Sequence, residues 1–262
     1  MNSTRPPAST SKPEFRGRIV PWRSTVALPA VRLLCFPYAG GSASIFRPWV
    51  MHGPEWLDVC AVELPGRGVR FRERLLDDIV PLVAQLTREL EAETSIPVAV
   101  FGHSYGALIA FALVQNMEAA GFPPPVHCFL SGASPRRQAR PDRTPLFELP
   151  SEQFAAELRR YGGTPKEVLD NRDLMHVLEP ILRADFRAAA TWRPPPGARI
   201  AAPITTLAGA QDQSAQPSDV ARWSEYTRAE AGHQIYDGGH FFLHQFGAQI
   251  LGLISESLTP AS

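Results

Sequence analysis

The chain has 262 residues, 44% hydrophobic and 20% charged, a balance that supports a packed core and excludes a disordered polyelectrolyte. Its 26 basic and 26 acidic residues cancel, which argues against a general nucleic-acid binder. No apolar run approaches the roughly 18 residues of a membrane span, and the polar, basic start lacks the apolar region of a secretory signal, so a cytoplasmic setting is expected.

Residues 1–25 combine Pro6, Pro7, Pro13 and Pro21 with serine, threonine and arginine and read as a flexible tail ahead of one domain, 26–262. Residues 31–36 and 57–64 are nearly continuous apolar runs of strand length, and 77–93 carry a helical period. A third strand, 97–101, runs straight into an apolar helix over 104–120, and a fourth strand follows at 126–131. The alternation then breaks. From Pro135 to Pro203 the sequence is rich in proline, offers no convincing strand and contains three helical pieces. Ser151 is placed to cap the first, 151–161. Thr164-Pro165-Lys166-Glu167 has the form of a capping box with proline at the first helical position. Asn171 is placed to cap the third, whose apolar stripe is Leu174, Leu178, Ile181, Leu182 and Phe186 and which Pro180 should kink or split. Alternation resumes with a strand at 204–208, a helix at 218–229, a strand at 234–237 and a helix at 241–257. Near-continuous strands alternating with helices predict an α/β fold with a doubly wound, mostly parallel sheet. The helical insertion, about 136–192, predicts a lid over a site. Cys35, Cys60 and Cys128 lie in strand-like runs and read as small buried hydrophobes. Without a CxxC or HExxH motif, no metal site is expected.

The sharpest local signal is Gly102-His103-Ser104-Tyr105-Gly106, between a strand and a helix. A strand feeding directly into a helix needs a tight turn, and the flanking glycines remove the side chains that would clash there. The serine hydroxyl is then presented at the carboxyl end of the sheet, which makes Ser104 the candidate nucleophile. Serine needs a base, and seven histidines are available. His127 reads as a core residue, His176 lies in the insertion, His233 follows a glycine, and His103 should point away from Ser104 into packing. His240, in Gly238-Gly239-His240-Phe241-Phe242 between the last strand and last helix, is favoured as the base over His52 and His244. The acid that orients it should come after the serine and before the histidine. Asp212, just past the strand 204–208, fits better than Asp237, which still belongs to a strand, or Asp219, which suits a helix cap. Asp185 reads as a mid-helix salt bridge with an arginine such as Arg183. Oxyanion donors are expected at the backbone N–H of Tyr105 and, in Phe36-Pro37-Tyr38-Ala39-Gly40-Gly41, at Ala39.

These segments, with Leu64-Pro65-Gly66-Arg67-Gly68 and Leu182-Arg183-Ala184-Asp185-Phe186, stand in the order and spacing of the type II thioesterases of polyketide and nonribosomal peptide assembly lines. The chain resembles that family over about residues 30–258. The resemblance implies an α/β-hydrolase fold with a helical lid, and a Ser104, Asp212, His240 triad with oxyanion donors at Ala39 and Tyr105. It further implies hydrolysis of acyl thioesters held on the phosphopantetheine arm of an acyl or peptidyl carrier protein, with no cofactor and a monomer favoured. Tyr105 stands where the family often has methionine. A general carboxylesterase or lipase, or an inactive binding module of the same fold, is the alternative. Two arginine clusters, Arg67, Arg70, Arg72 and Arg74, and Arg136, Arg137, Arg140 and Arg143, are candidate docking sites for an acidic carrier, with solvated arginines the plainer expectation.

Overall fold

The apolar runs pair side by side into one sheet, seen here in a computed structural model that describes residues 18–135 and 144–259. The strands are β1 (Trp22–Arg23), β2 (Val31–Phe36), β3 (Leu57–Ala61), β4 (Val98–His103), β5 (His127–Ser131), β6 (Ile204–Gly209) and β7 (Ala231–Tyr236). Their order across the sheet is β1-β3-β2-β4-β5-β6-β7, with every pairing parallel except β1 against β3. The inner strands β2 to β6 are largely apolar because both faces of the sheet are covered there. Leu34 and Phe36 of β2 face the core shared with α2 (Ile79–Glu89) and α3 (Tyr105–Ala119), whereas Leu33 and Cys35 face α1 (Arg47–His52) and α8 (Phe242–Leu258). Burying each such side chain stabilises the fold by about 1.5–3 kcal/mol relative to exposure. The helix α3 is buried on nearly every side, as its apolar composition requires.

Between β5 and β6 the described chain forms α4 (Ser151–Tyr161), α5 (Lys166–Leu169) and α6 (Arg172–Thr191), then one isolated bridge between Ile200 and Thr227. These helices have a small core of their own from Phe154, Leu158, Leu169, Met175 and Leu182. Arg183 closes it, with its guanidinium 4.4 Å from the Phe154 ring centre and donating to the Phe147 and Leu149 carbonyls at 2.8 Å.

Several local expectations are corrected. Arg18–Thr25, within the stretch read as a tail, belongs to the fold: Ile19 and Val20 are buried, and β1 pairs with β3. Two residues of strand are too few to show as a pattern, and a partly buried charge network holds them. Arg23 Nε donates to Asp58 at 3.1 Å, and Arg32 Nε reaches the same carboxylate at 2.8 Å. The helix expected at 218–229 is instead α7 (Pro217–Val220) followed by a 3₁₀ segment, Ala221–Tyr226. A threefold repeat eclipses Trp223 and Tyr226 on one side, where both meet the Phe111 ring, at 4.6 and 5.8 Å between centroids. The strand β7 starts at Ala231, earlier than expected, because as an edge strand it is exposed at five of six positions and carries no apolar run. Asn171 caps α6 as expected, accepting from the Asp173 and Leu174 N–H groups, and the helix continues through Pro180 without splitting. Ser151 and Thr164 make no cap: Ser151 lies in the first turn of α4 and donates to Glu179 at 2.8 Å, and α5 starts after Pro165 without a side-chain cap.

Candidate functional site

The sheet brings three chain-distant loops to one edge. The strand β4 passes into α3 at Ser104, which has φ +55° and ψ −115° and is the one non-glycine residue at positive φ among the described residues. The turn is tight enough that a Cβ at Gly102 would collide with the Gly106 carbonyl, and a Cβ at Gly106 would collide with that of Phe36. The carboxyl ends of β6 and β7 carry Asp212 and His240 to the same point.

There the three side chains form a hydrogen-bonded chain. His240 Nε2 lies 2.9 Å from Ser104 Oγ, and His240 Nδ1 lies 2.7 Å from Asp212 Oδ2. An ionised carboxylate only accepts, so Nδ1 carries the proton and Nε2 is left to accept the serine proton. Burial alone would raise the Asp212 carboxyl, but the hydrogen bonds from His240 and Ser214 outweigh it and hold the group below its ordinary value. The rival acid Asp237 lies past the end of β7 and accepts from Gln211 Nε2 at 2.6 Å, away from His240.

Two supporting residues carry no sequence signal of their own. Ser214 donates to Asp212 Oδ1 at 2.7 Å, and its oxygen is 3.0 Å from His240 Nδ1, so it orients both members of the pair. The Ser214 and Ala215 N–H groups also point at Asp212 Oδ1. His103 does turn away from Ser104 into packing, and it also holds His240: its Nε2 donates to the His240 carbonyl at 2.9 Å while Nδ1 accepts from Ser131 Oγ at 2.8 Å. Burial, with the nearby His240 adding to it, pushes His103 down to about 3, so the ring stays neutral. The space for that ring exists because position 132 is glycine; a Cβ there would lie 2.8 Å from His103 Cε1. The remaining histidines serve elsewhere. His127 bonds Thr205 and stacks on Phe129, His233 lies within β7 against Thr206, and His244 bonds the Tyr38 hydroxyl at 3.0 Å.

The loop after β2 passes beside Ser104, with the Phe36 and Pro37 carbonyls packed on the first turn of α3. Over it stand the helices of the insertion. The Tyr161 ring, ending α4, is 5.7 Å from His240, and Gly163 packs so closely on Phe241 that a side chain there would collide. Asp185 of α6 is fully buried and pairs with Arg67, not Arg183, which is engaged by Glu179. Arg67 and Arg70 are likewise buried in ion pairs, leaving Arg72 and Arg74 of that cluster exposed. The second cluster, Arg136 to Arg143, lies outside the described residues. Among the described residues no group of three or more histidine, cysteine or carboxylate side chains could hold a metal, and no helix is long and apolar enough to cross a membrane.

A serine, histidine and aspartate linked in this way can generate a nucleophile at neutral pH. The thioesterase domain family matches residues 31–258. The chain is 35% identical to the gramicidin S biosynthesis protein GrsT of Aneurinibacillus migulanus, over 87% of this chain and 89% of that protein. It is 34% identical to the thioesterase PikA5 of Streptomyces venezuelae, over 87% and 81% respectively. Among solved structures, the type II thioesterase BorB from the borrelidin biosynthetic cluster superposes with a TM-score of 0.80 at 36% identity, covering 90% of this chain and 97% of that one.

Proposed function

The chain belongs to the thioesterase domain family and is a thioester hydrolase of the α/β-hydrolase fold; we propose that it hydrolyses acyl thioesters from the phosphopantetheine arm of an acyl or peptidyl carrier protein. The hydrogen-bonded run from Ser104 through His240 to Asp212 carries this reading. His240 Nε2 takes the hydroxyl proton as Ser104 Oγ attacks the thioester carbonyl. The Ala39 and Tyr105 N–H groups receive the oxyanion, the latter at the positive end of α3. The C–S bond breaks, the thiolate of the arm takes the proton from His240, and an acyl-serine remains. Water then gives its proton to His240 and attacks the ester, releasing the acid and returning the proton to Ser104. Asp212 stays ionised throughout and stabilises the imidazolium.

Relatives named for gramicidin S and borrelidin biosynthesis support an editing role, removal of stalled or wrongly primed acyl groups from an assembly line. The three free, buried cysteines suit a reducing, cytoplasmic setting. The helices α4–α6 act as the lid, and the exposed Arg72 and Arg74 offer positive charge to an acidic carrier. The test is a panel of acyl groups loaded on a carrier protein, with matched simple oxyesters, measured for kcat/KM. Preference for the carrier thioesters, with loss of about 10³-fold or more in Ser104→Ala, is expected. Turnover retained in Ser104→Ala would overturn the mechanism, and preference for the oxyesters would favour a general carboxylesterase.

A further inference from the structure

The insertion touches the oxyanion loop through a charge that packing alone does not require. Asp185, on α6, is fully buried, and its carboxylate accepts three hydrogen bonds. Two come from the Arg67 guanidinium in a bidentate pair, at 2.6 and 2.8 Å, and one from the Gly40 N–H at 2.8 Å. Arg67 in turn donates to the Gly41 carbonyl at 3.3 Å. One turn earlier on the same helix, Leu182 is pressed so tightly against Gly40 that any side chain at that glycine would strike it. The residue so gripped is the direct neighbour of Ala39, whose N–H is assigned to the oxyanion. Sequence separations of 118 and 145 mean that no local structure could set this contact.

A buried ion pair is seldom the cheapest way to fill a core, because apolar groups of the same volume stabilise as well or better. This pair does something apolar groups would not: its shared carboxylate holds the loop N–H next to the proposed donor. We propose that Asp185 is a positioning residue, with Arg67 as its anchor, which couples the seating of the lid helix α6 to the orientation of the Ala39 N–H. Oxyanion stabilisation is therefore complete only while α6 is seated, and a lid displaced by an incoming acyl chain leaves a site that binds but reacts slowly. This inference rests on the reaction proposed above and deepens it.

The test is Asp185→Leu combined with Arg67→Met, which replaces the pair by apolar groups and so avoids a stranded buried charge. Asp185→Asn, which keeps an oxygen for the Gly40 N–H, serves as the milder variant. Steady-state hydrolysis of an acyl thioester is measured together with the affinity for two inhibitors, an acyl trifluoromethyl ketone that forms a tetrahedral oxyanion on Ser104, and an inert acyl thioether. Removing one oxyanion donor outright costs about 10²–10³-fold in kcat, so a misaligned donor should cost the double variant about 10–100-fold in kcat with KM within about 3-fold. Ketone affinity should fall by a similar factor and thioether affinity should hold, with Asp185→Asn falling less on both kcat and ketone affinity. A folded double variant with unchanged kcat and ketone affinity would overturn the proposal, as would equal losses for both inhibitors. If the double variant does not fold, Asp185→Asn decides by the same split between ketone and thioether. Failure of the underlying reaction shows differently, as a wild-type enzyme without thioesterase activity.

Discussion

Replacing Ser104 by glycine and by alanine should order their stabilities the opposite way from a helix interior, where alanine is favoured. Both variants lose the hydroxyl and its bond to His240, so that loss cancels in the comparison. What remains is the backbone. A residue with a Cβ at φ +55° and ψ −115° is strained by about 1–3 kcal/mol, and glycine escapes this. Glycine also gains unfolded-state entropy, which disfavours it by about 0.4–1 kcal/mol. The difference leaves Ser104→Gly more stable than Ser104→Ala by about 0.5–2 kcal/mol, or about 1–4 °C in Tm for a chain of this size. Equilibrium urea unfolding of the two proteins at pH 7 measures it, and both should be inactive on acyl thioesters. Alanine equal to or more stable than glycine would refute the claim that the elbow stores backbone strain.

Two further outcomes follow from the electrostatics. Because His103 falls from an ordinary 6.5 to about 3 on burial, below pH 6.5 the unfolded chain binds a proton there that the native state does not. Stability is therefore lost as pH falls through that window, by about 1.4 kcal/mol per unit, or about 2–3 kcal/mol by pH 4.5. His127, lowered to about 4, adds to the same trend, so the contribution of His103 is read as the difference in urea stability between wild type and His103→Gln; an identical pH slope in both would contradict it. For docking, Arg72→Glu with Arg74→Glu should raise KM for a carrier-bound acyl group about 3–10-fold, leave a small free thioester unaffected, and lose its effect at high salt. Equal changes on both substrates would remove these arginines from the docking surface.

Much of this protein could be read from local patterns because its inner parallel strands are buried on both faces and so appear as apolar runs, unlike the exposed edge strand β7. The elbow was readable for a related reason: Gly102 and Gly106 stand where any Cβ would meet backbone, which fixes their spacing around Ser104. His240 and Asp212 followed from their places just past strands. What local patterns could not supply are contacts between groups far apart in the chain. Asp185 reads as an ordinary helix-face carboxylate beside Arg183, yet the fold buries it against Arg67 and Gly40. His103 reads as a packing residue, and only the meeting of β4 with the loop after β7 gives it the His240 carbonyl to hold. The even balance of 26 basic and 26 acidic residues is ambiguous in the same way. In three dimensions a small part of that charge, Arg32 with Asp58 and Arg67 with Asp185 among it, is paired inside, while Arg72 and Arg74 stay exposed. Sequence alone thus determined most of the sheet, the glycine-flanked turn at Ser104 and the candidates that hydrogen-bond to it, His240 and Asp212, since periodicity and steric exclusion act over a few residues. Tertiary structure decided which charges are buried and which groups hold His240 and the loop after β2, because burial and pairing depend on elements from tens to more than a hundred residues apart.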